Sequence, residues 1–215
     1  LALLLALPFI GSVIAALLPS NARNAESTWS AAIAAAALVR VAVMFPQVRD
    51  GGVVREQIAW MPSAGLDLTI RVDGFAWMFA MLVTGIGFLV ILYSRYYMSP
   101  SDPVPRFFAF LLAFMGAMLG LVTSGNLIQL VFFWELTSLT SFMLIGYWHH
   151  RAEARRGARM ALLVTGAGGL CLFGGALLIG RIVGSYDLDA VLGAGARLRA
   201  DPLYRPLLAL VLLGA

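Results

Sequence analysis

The stretch LVFFWELTSLTSFMLIGYWHH, residues 130–150, holds one acid, Glu135, inside a run otherwise apolar enough to cross a membrane. Asn126, a good N-cap type, marks where this helix begins. Glu135 follows nine residues later, about 13 Å along the axis at roughly 1.5 Å per residue. In a hydrocarbon core of roughly 30 Å that is close to mid-membrane, and a glutamate side chain is too short to reach either interface. A central acid costs roughly 3 kcal/mol on insertion scales, so such a residue is a functional hypothesis by default. Burial disfavours the charged form and a nearby cation favours it, so the group is poised to take and release a proton.

Position around the helix sorts the neighbours, at about 100° per residue. Ser138 lies roughly 60° around from Glu135, as a hydrogen-bonding support to the acid or to a shared water. Thr137, Thr140 and Ser141 point further away and are expected to bond back to helix carbonyls. Arg40 is the one basic residue that approaches comparable depth, near one end of its helix, and is read as snorkelling. A competing reading makes Glu135 a protonated packing acid that bonds a neighbouring helix. His149 and His150 invite a metal reading, but adjacent helical residues diverge. An interfacial position, or at most a proton-entry role, is the reading kept.

The rest of the chain has the same character. Of 215 residues 61% are hydrophobic and 12% charged, with a mean hydropathy of +0.89. A soluble domain is nearer half apolar and a quarter charged. The composition predicts an all-α polytopic membrane protein embedded in a lipid bilayer, whose helices satisfy their own backbone groups. The net charge of +4 comes from arginines between apolar runs, with no lysine anywhere. These read as topology determinants rather than a nucleic-acid footprint. The lone Cys171 excludes an internal disulfide and a multi-cysteine metal site, and no sequence feature names a cofactor.

Six apolar runs are expected to span the membrane: 1–18, 29–45, 74–94, 107–123, 126–148 and 158–183. A seventh starts near Pro206 and is cut at Ala215, which reads as a segment of a longer protein. The absence of a basic n-region makes 1–18 a first membrane helix rather than a signal peptide. Asp73 is expected to N-cap the third helix, and Pro103 and Pro105 to break the chain before the fourth. Leu66–Val72 alternates strictly, the pattern of a half-buried strand. With Pro62 and Gly65 as turn residues, a short extramembrane strand or hairpin is expected near 62–72. A short surface helix is expected around 188–198.

Arginines divide between the two ends. Arg23, Arg95, Arg106, Arg151, Arg155, Arg156 and Arg159 fall on one side, in short loops, and place it in the cytoplasm. Arg49, Arg55, Arg71, Arg181, Arg197, Arg199 and Arg205 fall on the other. Gly116 and Gly120, and the run Gly166, Gly168, Gly169, Gly174 and Gly175, are read as close helix packing; the spacing is not that of a dinucleotide loop. Trp29, Trp60, Trp77, Tyr93, Tyr96, Tyr97, Tyr147 and Trp148 are read as an interfacial belt.

Several strings, taken together, resemble the large antiporter-type subunits shared by Mrp cation/proton antiporters and respiratory complex I. They are VDGFAWMFAMLVTGIGFLVILYSRYYM at 72–98, NLIQLVFFWELTSLTSFMLIGYW at 126–148, ALLVTGAGGLCLFGGALLIG at 161–180 and DPLYRPLLALVLLGA at 201–215. The form FWELTS is more similar to the A-type subunit of the Mrp antiporter, in its N-terminal part. The resemblance implies that Glu135 matches the family's membrane glutamate, which exchanges protons with a lysine on the seventh helix. That lysine is expected beyond Ala215. It further implies two parts: residues 1–125, helices 1–4 with the hairpin, and residues 126–215, the start of the proton-translocating bundle. Partners implied are other subunits of the antiporter complex, protons, and Na+ or another monovalent cation, in the cell membrane.

The expectation is a secondary transporter subunit, not an enzyme, since no nucleophile–base constellation or paired carboxylate is present. The alternatives are a proton-pumping L-type subunit of complex I and a non-transporting scaffold subunit.

Overall fold

The computed structural model describes residues 1–19, 23–61, 66–99 and 102–214. Pro62, Gly65 and Ala215 lie outside the described residues, as do the side chains of Arg23 and Trp60. The elements in order are α1 (Ala2–Leu17), α2 (Arg23–Ala42), α3 (Phe45–Val48), β1 (Val54–Met61), β2 (Leu66–Val72) and α4 (Gly74–Tyr97). They continue as α5 (Val104–Val122), α6 (Leu127–Ile145), α7 (Ala152–Val183), α8 (Leu188–Gly193), α9 (Gly195–Ala200) and α10 (Tyr204–Gly214). Among the described residues, five helical stretches are long and apolar enough to cross a membrane, Asn24–Val48 among them, and α1 and α10 are shorter apolar helices. The chain is a polytopic helical membrane protein with a small antiparallel hairpin. Its outward faces carry exposed Ile86, Leu89, Leu163 and Leu170, side chains no more apolar than lipid tails.

Local chemistry sets most boundaries. Asp73 caps α4 by accepting from the Ala76 N–H at 2.8 Å, and Asn126 caps α6 by accepting from Ile128 N–H at 2.9 Å. Pro105 does not break the chain before α5; it lies in the helix's first turn, where a missing N–H costs nothing. Two helices start earlier than apolarity alone suggests. α2 begins at Arg23 and α7 at Ala152, because Ala, Glu and Arg favour helix even where they are polar. At 32 residues, α7 is about 48 Å long, so its arginine-bearing first turns project past a core of roughly 30 Å. α6 ends at Ile145 rather than Trp148.

The strand at Leu66–Val72 is present, and it pairs antiparallel with β1, Val54 opposite Val72 and Gln57 opposite Thr69. The hairpin is stitched to the membrane helices by backbone bonds. Arg71 N–H donates to Thr123 O at 2.8 Å and Gly125 N–H to Thr69 O at 2.8 Å, while Leu127 N–H, donating to Tyr186 O at 2.9 Å, ties the start of α6 to the segment before α8. The expected surface helix is two short ones, α8 and α9. One apolar core lies at the hairpin end around Val41, Ile70, Leu119 and Phe133. A second lies at the opposite end around Ala34, Ile91, Phe108, Leu112 and Tyr147.

The glycines act in two ways. An added Cβ on Gly116 would meet the Phe9 ring at 3.0 Å, and one on Gly120 the Phe133 ring at 2.3 Å. That pair therefore admits two rings from two different helices rather than forming one backbone seam. On α7, Gly168, Gly174 and Gly175 face Gly214, Leu210 and Val211 of α10, the close helix contact small residues permit.

Candidate functional site

Glu135 lies midway along α6, between α5 and α7. Its carboxylate reaches the α7 backbone at Gly169, where an added Cβ would fall 1.4 Å from Oε1. Any side chain at 169 would occupy the space that the acid fills. Oε1 is buried and has no hydrogen-bond partner among the described residues, an arrangement folded proteins rarely leave without a role.

Ser138 is buried. Its hydroxyl donates to Trp134 O at 3.3 Å rather than to Glu135, so the expected direct support is not the bond it makes. Thr137 and Thr140 bond back as expected, to Trp134 O at 2.7 Å and Leu136 O at 2.8 Å. Ser138 and Thr137 line a cleft of about 480 Å³ with Trp134, Thr165, Gly168 and Gly214, between α6, α7 and α10. The acid and this hydroxyl-lined cleft thus sit on adjoining faces of one helix.

His149 and His150 are exposed in the turn after α6, not on the helix, with ring centroids 6.2 Å apart. His149 lines a cleft of about 280 Å³ with Arg106, Arg155 and Arg159, and its carbonyl accepts from Arg155 Nη1 at 2.7 Å. Arg40 is exposed in the last turn of α2. The aromatic belt divides. Tyr93, Tyr96 and Tyr97 are exposed at one end of α4, whereas Trp77 Nε1 donates to Val41 O at 2.8 Å and Trp29 Nε1 to Gly11 O at 3.3 Å. Tyr147 is buried in the core.

At the hairpin end, charges pair. Arg55 binds Asp187 and, at 2.9 Å, Asp189; Arg71 binds Asp189 at 2.8 Å and Asp73 at 2.6 Å. Burial opposes ionisation of Asp187, but the Arg55 guanidinium and the N–H groups of Ala190 and Asp189 hold it below the usual carboxylate range. Asp73 is held low in the same way, against burial, by the Ala76 N–H and Arg71. Pairing across α8 and the hairpin is invisible in the sequence, where the partners lie far apart.

The architecture, then, is that of a multi-pass helical membrane protein with an acid at mid-span. A family model described as "NADH-Ubiquinone oxidoreductase (complex I), chain 5 N-terminus" matches residues 60–108. Another, "NADH:quinone oxidoreductase/Mrp antiporter, TM", matches residues 124–215. The chain is 58% identical over 215 residues to the A/B subunit of a probable K(+)/H(+) antiporter of Rhizobium meliloti, covering 100% of this chain and 22% of that protein. It is 40% identical over 210 residues to the A subunit of the Na(+)/H(+) antiporter of Alkalihalophilus pseudofirmus, covering 97% of this chain and 26% of that one. The solved Mrp complex from Dietzia sp. DQ12-45-1b superposes with a TM-score of 0.86 at 29% identity, covering 99% of this chain and 23% of the matched chain. The chain belongs to the antiporter-type membrane subunits shared by Mrp complexes and complex I, on the side of the Mrp A subunits. It spans about a quarter or less of the length of these relatives.

Proposed function

We propose that the chain forms part of a membrane subunit of a multisubunit monovalent cation/proton antiporter, with Glu135 as the proton-carrying acid of its path. The observation that carries the reading is the buried, unpartnered Oε1 of Glu135 at mid-span, set against the bare backbone of Gly169. An acid there takes a proton when no cation is close and releases it when one approaches. The cation partner belongs to the seventh helix, beyond Ala215. Ser138 and the hydroxyl-lined cleft beside it are assigned to hydrating the path, and His149 and His150 to proton uptake at the arginine-rich end. That end faces the cytoplasm of a cell membrane, by the density of arginines in short loops. Residues 126–215 begin the translocating bundle, and residues 1–125 buttress it.

Relatives named for Na(+)/H(+) and for K(+)/H(+) exchange both support a monovalent cation as the counter-ion. The membrane potential is a ready energy source, at about 2.3 kcal/mol per charge per 100 mV. The reading makes the assembly a secondary transporter with other subunits as partners, not an enzyme. Glu135→Gln in the assembled complex preserves shape and hydrogen bonding but not titration. Cation-driven proton movement in vesicles is expected to collapse; full exchange by an assembled variant would overturn the assignment.

A further inference from the structure

A second acid lies buried at the arginine-rich end, apart from Glu135. Glu26 stands in the first turn of α2 and is 0% exposed. Ser30, one turn on along the same face, is also 0% exposed, and Tyr147, in the turn after α6, is 5% exposed. Among the described residues, neither carboxylate oxygen of Glu26, nor Ser30 Oγ, nor the Tyr147 hydroxyl has a hydrogen-bond partner.

Helix α2 and the turn after α6 meet in one apolar core, to which Trp29, Ile33 and Ala34 of α2 and Tyr147 all belong. Burial first, then the charge of Asp102, pushes the Tyr147 phenol up to about 12; Arg106 works against this and Glu26 adds to it. The phenol therefore keeps its proton at neutral pH. The walls are apolar, with Phe108, Val104 and Ala15 in the same core as Tyr147.

Buried polar side chains almost always find a partner in protein or ordered water. Three unpaired ones at one end of the bundle, on α2 and on the turn that shares its core, therefore mark a site rather than a packing accident. A carboxylate is the costliest of them to bury alone, and two hydroxyls beside it can donate to its ionised form or accept from its acid form.

We propose that Glu26, Ser30 and Tyr147 form a second proton-binding site, completed by ordered water, at the arginine-rich end of the bundle. The step is a proton transfer: a hydronium ion gives its proton to a Glu26 oxygen, leaving water and a carboxylic acid, and release runs in reverse. The charged and titratable groups facing Tyr147 are Asp102, from the segment before α5, Arg106 on the first turn of α5, and Glu26 itself. Arg106, with Arg155 and Arg159, also lines the neighbouring cleft that holds His149. That arginine lining disfavours a metal cation as the occupant, while a proton passes between hydroxyls and water. The site does not depend on Glu135 being the transport acid.

The test is infrared difference spectroscopy, between acid and alkaline pH, on the assembled complex in lipid vesicles. The parent is expected to show a pH-titrating carboxylic-acid carbonyl band that Glu26→Gln removes and Glu135→Gln leaves in place. Tyr147→Phe, which takes away the hydroxyl proposed to reach the acid through ordered water, should shift the frequency of that band without abolishing it. A Glu26→Gln spectrum identical to the parent's overturns the proposal. So does a band governed by Na+ or K+ concentration rather than by pH, since that describes a cation site. Should Glu26→Gln fail to assemble, an unshifted band in Tyr147→Phe overturns it as well.

Discussion

The two ends of the bundle treat polar side chains in opposite ways. At the hairpin end Arg55, Arg71, Asp73, Asp187 and Asp189 sit near water and pair with one another. At the arginine-rich end Glu26, Ser30 and Tyr147 are buried and unpaired; at mid-span Glu135 is only partly buried, with Oε1 its buried, unpaired atom. Paired, partly exposed charges hold elements in place, whereas buried groups without partners remain free to bind something. The contrast separates charges that hold the hairpin in place from the groups assigned above, as proposals, to proton binding.

The largest effect is expected from Glu135→Gln, which should lower proton-coupled exchange in vesicles by about 100-fold or more, the scale of a lost proton-transfer group. An equal loss from Asp187→Asn would erase the distinction between the ends. Gly169→Ala comes next. Its methyl group falls on Glu135 Oε1, so the acid must move by well over an ångström, and a misplacement of even about 1 Å can cost roughly 100-fold in rate. Exchange should fall while the complex still assembles; parent-like exchange would show that the acid's seat against α7 is unimportant.

At the hairpin end the expected changes are in stability. Asp187→Asn removes the Arg55 pair and weakens the α8 cap, and should lower thermal stability by about 1 kcal/mol with transport per assembled complex unchanged. Because Asp187 and Asp73 titrate below the usual range, they stabilise the fold above their unfolded value near pH 4. That contribution is lost as pH falls through their lower folded values. Acid unfolding followed between about pH 5 and 2 should begin at higher pH in Asp187→Asn. The smallest effect is at Gly184, which closes α7 with φ of 79°. Alanine there should cost about 1 kcal/mol or slightly more, read as a lower melting temperature.

Much of the fold can be read directly from the chain. The strand at Leu66–Val72 follows from period-2 alternation, and the starts of α4 and α6 from Asp73 and Asn126, because these signals are local. The start of α2 escapes a hydropathy reading because Glu26 lies in the polar stretch NARNAEST and apolarity begins at Trp29. A signal is nonetheless present: Glu26, Ser30, Ala34 and Ala37 recur at helical spacing, and all are fully buried. Polar residues on a buried stripe do not raise hydropathy, so hydropathy alone passes over them. Tyr147 reads as a lipid-facing belt residue for the converse reason. Its position at a helix end is visible in the sequence, but its direction is not.

Glu135 shows where the division falls. By itself the sequence determined that an acid sits about halfway through an apolar span, since depth is only a count of residues times helical rise. It also determined the order of the membrane helices, which hydropathy and length decide locally. Only the tertiary structure decided that Glu135 meets Gly169, that Ser138 bonds its own helix, and that Glu26 and Tyr147 are both buried. These contacts depend on how each helix is rotated against its neighbours, and that rotation is set by packing between residues distant in the chain. The same holds for Arg55 and Asp187, which are 132 residues apart and which no local periodicity could join.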